Sequence, residues 1–265
     1  MKEFFGLAGY SDGEYHYLRD AQGAWGWEHL LFVSLLIAAM VVLAIFVGRY
    51  YKDKSLERKN KPLIISAIAI DSFEIVKIVV LCIRCQDAMH WIYVLPLFLC
   101  SVQLIALPMC AFCHGRVREA SLDFVMIFGI LGAVFGTIGA AQNYNAFPVL
   151  SMDNVFSGIT HTISGFASLY IIISGLTSMK KKNMPITLGI LLGVSVIAYI
   201  VNHIIDYNYM FLMNHDGTPY SIFYNMVDGN VVLYPLIVVG LFVIYAVGEY
   251  FIVDKIRSRK APVEK

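Results

Sequence analysis

Charge is what this 265-residue chain has least of: Asp, Glu, Lys and Arg make up only 15% of it, against about a quarter in an average soluble domain. Too little polar surface remains to cover a globule in water. The chain also lacks any polar stretch of about 50 residues, the lower limit for an independent domain. Its activity must therefore reside in an apolar body or in short connections. A net charge of +1 gives no basic surface for nucleic acid. The five cysteines, Cys82, Cys85, Cys100, Cys110 and Cys113, are odd in number and lie in or beside apolar runs, which excludes a disulfide framework. Residues 1–26 lack the basic-then-apolar order of a cleavable signal, so no cleavage is expected. A retinal protein needs a lysine midway along its last apolar run, and VVLYPLIVVGLFVIYAVGEYFIV has none.

What the chain does have is apolar length, with 58% hydrophobic residues. Apolar runs of about 20 residues, enough to cross a bilayer as helices, recur seven times. They run from Trp27 to Gly48, Pro62 to Arg84, Trp91 to Phe112, Leu122 to Ala141, Ser157 to Ser178, Pro185 to Ile205 and Val231 to Val253. The pattern predicts an all-α polytopic membrane protein, a bundle of about seven transmembrane helices. It divides into an extracytoplasmic segment 1–26, a transmembrane domain 27–253 and a cytoplasmic basic tail 254–265. Sixteen of the 20 basic residues fall in the first, third and fifth connections and the C-terminus. The positive-inside rule then predicts an outside N-terminus and a cytoplasmic C-terminus. The longest connection, Asp206 to Asn230, is rich in Tyr, Met and Phe, as a loop packed onto the membrane face would be.

Ionisable residues inside a span are expensive and point to function. In the second span Asp71, Glu74 and Lys77 recur every three residues, along one helix stripe, and Glu74 can pair with Lys77. That stripe reads first as a structural ion pair facing the bundle interior and second as the wall of a polar pocket. The other polar candidates are Cys100 and Gln103 in the third span, His161 in the fifth, and Asn202 and His203 near the end of the sixth. At ~1.5 Å rise per residue Glu74, Lys77, Cys100, His161, Asn202 and His203 project to the outer half of the bilayer, as one outward-facing cavity would require. A thiol becomes a nucleophile when a base takes its proton. His161 is the base best placed by depth, with Asn202 or His203 available to orient it. The CxxC pairs Cys82/Cys85 and Cys110/Cys113 are separated by almost a whole span, so no shared metal site is expected, and no cofactor.

The segments LPLFLCSVQLIALP, SGITHTISGFASLYII and VNHIIDYNYMFLMNHDGTPYS, the last leading to LYPLIVVGLF, together resemble the YwaF-like bacterial integral membrane proteins, a family related to the eukaryotic transmembrane protein 164 acyltransferases. The most specific pieces are LPL..C and N.....NYM. The resemblance implies a multi-pass protein of the bacterial cytoplasmic membrane that acts on membrane phospholipids, with Cys100 as nucleophile and His161 as its partner. Asn208 and Tyr209 join Glu74 and Lys77 as polar residues of the pocket. The family usually carries a polar residue, often His, two positions before the cysteine, where this chain has Phe98.

Two functions follow as expectations. The first is a lipid acyltransferase, or a hydrolase if water is the acceptor. The second is a transporter or small-ligand binding protein using the same cavity without covalent chemistry. The scarcity of paired broken helices favours the enzyme.

Overall fold

The computed structural model describes residues 1–260; the end of the expected basic tail, 261–265, lies outside the described residues. Helices dominate: α1 (Trp27–Tyr51), α2 (Leu56–Arg84), α3 (Gln103–Phe112), α4 (Gly115–Thr137), α5 (Ala141–Ala146), α6 (Met152–Ile173), α7 (Met184–Ile205), α8 (Ser221–Met226) and α9 (Leu233–Lys260). Five helical stretches, built on α1, α4, α6, α7 and α9, are long and apolar enough to cross a membrane, and the protein is a multi-pass helical membrane protein. Although 29 residues long, α2 is not among those five; Asp71, Glu74 and Lys77 lie close together in its middle.

Local chemistry sets several boundaries. Ser55 and Ser151 cap α2 and α6, each side-chain oxygen accepting from the backbone N–H three residues on. Pro185 sits in the first turn of α7, where its missing N–H costs nothing. At the far end of α7, Asp206 turns left-handed (φ 52°) and starts the long loop.

The third apolar run departs from expectation. A helix over 91–112 was predicted, but only 103–112 forms one, about 15 Å long by helix rise. The stretch before it is a 3-10 turn at His90–Tyr93 followed by irregular chain. Pro96 is the physical reason: it has no N–H to donate and its ring drives Leu95 away from helical geometry. Irregular backbone at membrane depth must find partners within the protein. Here the Tyr209 hydroxyl supplies them, donating to the Ile92 carbonyl at 2.6 Å and accepting from the Leu95 N–H at 3.0 Å.

The bundle is built around α4 and α6, with α1 against α6, α2 and α3 on one side, and α7 and α9 on the other. Between helices in lipid there is little hydrophobic drive, so close approach and interhelical hydrogen bonds matter most. At Gly129 of α4, an added Cβ would lie 2.7 Å from the Ser164 carbonyl of α6; only glycine allows that approach. Nearby, Ser168 Oγ donates to the Met126 carbonyl at 2.7 Å.

Residues 1–26 form a docked cap. Gly9–Ser11 and Glu14–His16 pair antiparallel through an Asp12-Gly13 turn in which both residues have positive φ. The chain then lies on the ends of α2 and α6. Arg84 binds Asp153 through both guanidinium arms, at 2.6 and 2.9 Å, and Tyr17 donates to the same carboxylate at 2.6 Å. Burial and the adjacent Asp153 hold the Tyr17 phenol protonated well beyond its ordinary range, as a donor there must be. The Arg84 and Asp153 side chains are only 10% and 12% exposed. Asp153→Ala would strand a nearly buried guanidinium, and a loss of about 3–5 kcal/mol is expected, to be read as a lower unfolding midpoint in detergent.

Candidate active site

Cys100 lies in the irregular chain just ahead of α3, in a turn closed by the Gln103 N–H donating to the Cys100 carbonyl at 3.3 Å. His161 stands on α6, pressed against α4. A Cβ added to Gly136 would overlap its imidazole, so the absence of a side chain at Gly136 makes room for the ring. One turn back on α4, Gly132 locates both groups. The point where a Gly132 side chain would begin is 3.6 Å from Cys100 Cβ and 4.0 Å from His161 Nδ1. The thiol-bearing turn and the imidazole thus share one patch of α4.

Both residues line a cavity of about 610 Å³. Glu74 and Lys77 from α2 face it as an ion pair of 2.6 Å, one helical turn apart. Of the stripe read from the sequence, Glu74 and Lys77 are therefore a paired couple and a pocket wall at once, while Asp71 lies outside the cavity lining. Ser101, Ser157, Thr160 and Ser164 add hydroxyls, while Ile70, Leu104 and Phe98 supply apolar surface. Phe98 packs its ring 5.2 Å from Tyr209 and 5.7 Å from Phe211, centroid to centroid.

The 206–230 loop closes one side of the cavity. Asn208 organises it, donating to the Asn214 carbonyl at 2.9 Å and the Asp216 carboxylate at 2.6 Å and accepting from the Met213 N–H at 2.8 Å. Gln142, beside the cavity on α5, donates to the Asp216 carbonyl. Asp206, Tyr207, Asn208 and Asp216 all reach the lining, and burial pushes the Tyr207 phenol up from its usual range.

Of the residues singled out in the sequence, Glu74, Lys77, Cys100, His161 and Asn208 come together in this cavity. Gln103, Asn202, His203 and Tyr209 lie outside its lining. Asn202 is buried and grips the loop, donating to the Tyr209 carbonyl at 3.0 Å and accepting from the Tyr209 N–H at 2.7 Å. Tyr209 in turn holds the chain ahead of Cys100. These two therefore support the thiol segment rather than orient the imidazole. His203 is exposed and donates from Nδ1 to the Tyr199 carbonyl at 2.9 Å. Gln103 is fully buried, with both amide atoms unpartnered among the described residues.

Sequence reasoning passed over Gly132 and Gly136. The signal was present as small residues at Gly129, Gly132, Ala133 and Gly136, the spacing by which membrane helices approach closely. All five cysteines are free thiols. Cys82 and Cys85 lie at the end of α2, Cys110 and Cys113 at the end of α3.

The TMEM164 family model matches residues 24–251, a range that contains the whole cavity. No curated protein and no solved structure shows significant similarity to the chain.

Proposed function

We propose that this chain, which belongs to the TMEM164 family, is a membrane-embedded lipid acyltransferase that carries the acyl group on Cys100 with His161 as general base. The observation that carries the reading is the convergence of Cys100 and His161 on one patch of α4, inside a cavity that also presents the Lys77 ammonium. Proton transfer from the thiol to the imidazole gives a thiolate that attacks the carbonyl carbon of an acyl ester. The tetrahedral oxyanion collapses, the carbon–oxygen bond to glycerol breaks, and the departing alkoxide takes the proton from His161. A hydroxyl acceptor, such as a lysolipid, then gives its proton to His161 and attacks the thioester, which releases the thiol. Lys77, held by Glu74, supplies positive charge for the anions formed along this path.

The geometry of α4 makes a further variant informative. An alanine at Gly136 would displace the imidazole, and displacements near 1 Å cost about 100-fold in rate. Gly136→Ala is expected to lower turnover by about that factor while the protein still purifies as a folded monodisperse species.

In this reading the chain crosses the cell membrane seven times, the third crossing being half helix and half irregular chain. Its N-terminus is outside and its C-terminus cytoplasmic, as sixteen of 20 basic residues favour. The cavity then lies toward the outer leaflet, near the ends of α4 and α7 and beneath the 206–230 loop. Acyl-coenzyme A is a polyanion confined to the cytoplasm, so the donor is a phospholipid reaching the cavity sideways. Liposomes holding the protein with isotopically labelled phospholipid, or separately with labelled acyl-coenzyme A, test this. Label is expected to move to an added lysolipid only from the phospholipid. Transfer only from the coenzyme A ester would overturn the donor assignment. No transfer from either, with saturable retention of a small solute, would favour a binding protein or transporter.

A further inference from the structure

At the end of the bundle opposite the Cys100 cavity, a second cleft of about 460 Å³ forms where the α1–α2 connection, α2, α4, the chain after α6 and α9 converge. Along α4 the two are far apart: Arg118, in its first turn, lines the cleft, and Gln142, beyond its last turn, lines the cavity. The helix between them spans roughly 30 Å by its rise.

The charged lining of the cleft is Lys54, Lys59, Arg118, Lys180 and Arg257 against one carboxylate, Glu119. Cations from separate stretches of chain facing one small volume repel one another. Neutral acceptors hold three of them in place. Lys59 Nζ donates to the Ser174 carbonyl at 2.7 Å and Arg257 Nη1 to the Ser178 carbonyl at 2.6 Å. Arg118 donates from Nε to the Cys110 carbonyl and from Nη2 to Asn60 Oδ1, both at 3.0 Å. A carbonyl or amide oxygen fixes a cation without cancelling its charge. Among these five, only Lys180 meets a carboxylate among the described residues, Glu119 at 3.0 Å, and Glu119 also accepts from Asn183 at 3.0 Å.

The wall behind the cations is itself rigid. Asp123 accepts from Ser178 Oγ at 2.9 Å, the Met179 N–H at 2.8 Å and the Tyr250 hydroxyl at 2.9 Å. Those bonds set the chain that offers its Ser178 carbonyl to Arg257. The cleft is thus a positively charged recess in which Lys59, Arg118 and Arg257 are held by neutral acceptors and meet no carboxylate among the described residues.

We infer that this cleft binds a phosphate group, presented either by an anionic phospholipid or by a soluble phosphate. Guanidinium and ammonium groups together suit a tetrahedral oxyanion, and basic pockets between transmembrane helices take lipid headgroups at the membrane surface. The site is independent of Cys100 and is read by binding alone.

The test uses the full-length protein in a zwitterionic detergent at constant ionic strength. Thermal unfolding is followed against dioctanoyl phosphatidate, inorganic phosphate and dioctanoyl phosphatidylcholine. A saturable rise in the midpoint is expected with phosphatidate or phosphate and none with phosphatidylcholine. The half-saturating concentration is expected to rise about tenfold in Arg118→Gln and in Lys54→Gln, the loss of one charge-assisted contact. Arg118 also holds backbone, so the exposed Lys54 serves as the variant that leaves the fold intact. Lys181→Gln, outside the cleft and paired to Asp254 at 2.7 Å, should respond as wild type. A response to phosphate assigns a soluble ligand or the bare group; a response to phosphatidate alone assigns a lipid headgroup. The proposal is overturned by the absence of a saturable shift with either anion, by an equal shift with phosphatidylcholine, or by equal responses in wild type and both cleft variants.

Discussion

Cys100→Ser is expected to abolish acyl transfer between lipids in liposomes, by on the order of 1,000-fold or more, while the helical fold and the cavity persist. A serine hydroxyl fills nearly the same space, yet it has neither the acidity nor the nucleophilicity of a thiol. Loss of a nucleophile acting within a dyad has effects at or above that scale. The other four cysteines should be dispensable, because Cys100 is the one that lines the cavity. Cys82→Ser, Cys85→Ser, Cys110→Ser and Cys113→Ser are each expected to retain most of the wild-type rate. Activity that survives Cys100→Ser but disappears with Cys110→Ser or Cys113→Ser would move the chemistry to the other end of α3.

His161→Ala is expected to lower turnover by roughly 100- to 10,000-fold, the usual contribution of a general base, with a much smaller change in unfolding temperature. The imidazole rests on Gly136 and faces the cavity, so its removal enlarges a space that is already open. The apparent affinity for phospholipid should change little, since the ring acts on a proton and not on the lipid headgroup. His161→Gln, closer in shape, should fold as well and be as slow. Near-normal turnover in both variants would leave Cys100 without its proposed base, for His203 is exposed on α7 and bonded to its own helix.

Much of this arrangement was legible in the chain because a bilayer imposes simple rules. Apolar runs of spanning length and the alternation of basic connections point to a helical bundle before any packing is known. The three-residue spacing of Glu74 and Lys77 places them on one stripe of α2, where they do pair. Depth counting brought Cys100 and His161 into one depth band, although it treated the chain ahead of Cys100 as helix where the structure has irregular chain.

The rest depended on packing that no linear pattern carries. Pro96 warned of a break, but a hydrophobic run looks the same whether helical or irregular. The Tyr209 hydroxyl that makes irregular chain tolerable beside Pro96 comes from 113 residues away in the sequence. Asn202 was read as a possible partner for the imidazole because depth says nothing about azimuth. Its azimuth turns it to the loop backbone instead. The place of His161 against Gly136 required knowing that α4 and α6 meet face to face. The N-terminal cap was equally hidden, because the bond that docks it, from Tyr17 to Asp153, spans 136 residues.

The covalent intermediate is the central claim, and intact-protein mass spectrometry after incubation with a phospholipid of defined chains tests it most directly. Wild-type protein, quenched in acid before an acceptor is added, is expected to gain the mass of one acyl chain. Hydroxylamine at neutral pH should remove it, and peptide mapping should place it on Cys100. His161→Ala should accumulate it far more slowly, and Cys100→Ser should lack the hydroxylamine-sensitive adduct. An adduct mapped to any other residue, or lipid acyl transfer proceeding in Cys100→Ser at the wild-type rate, would contradict the account.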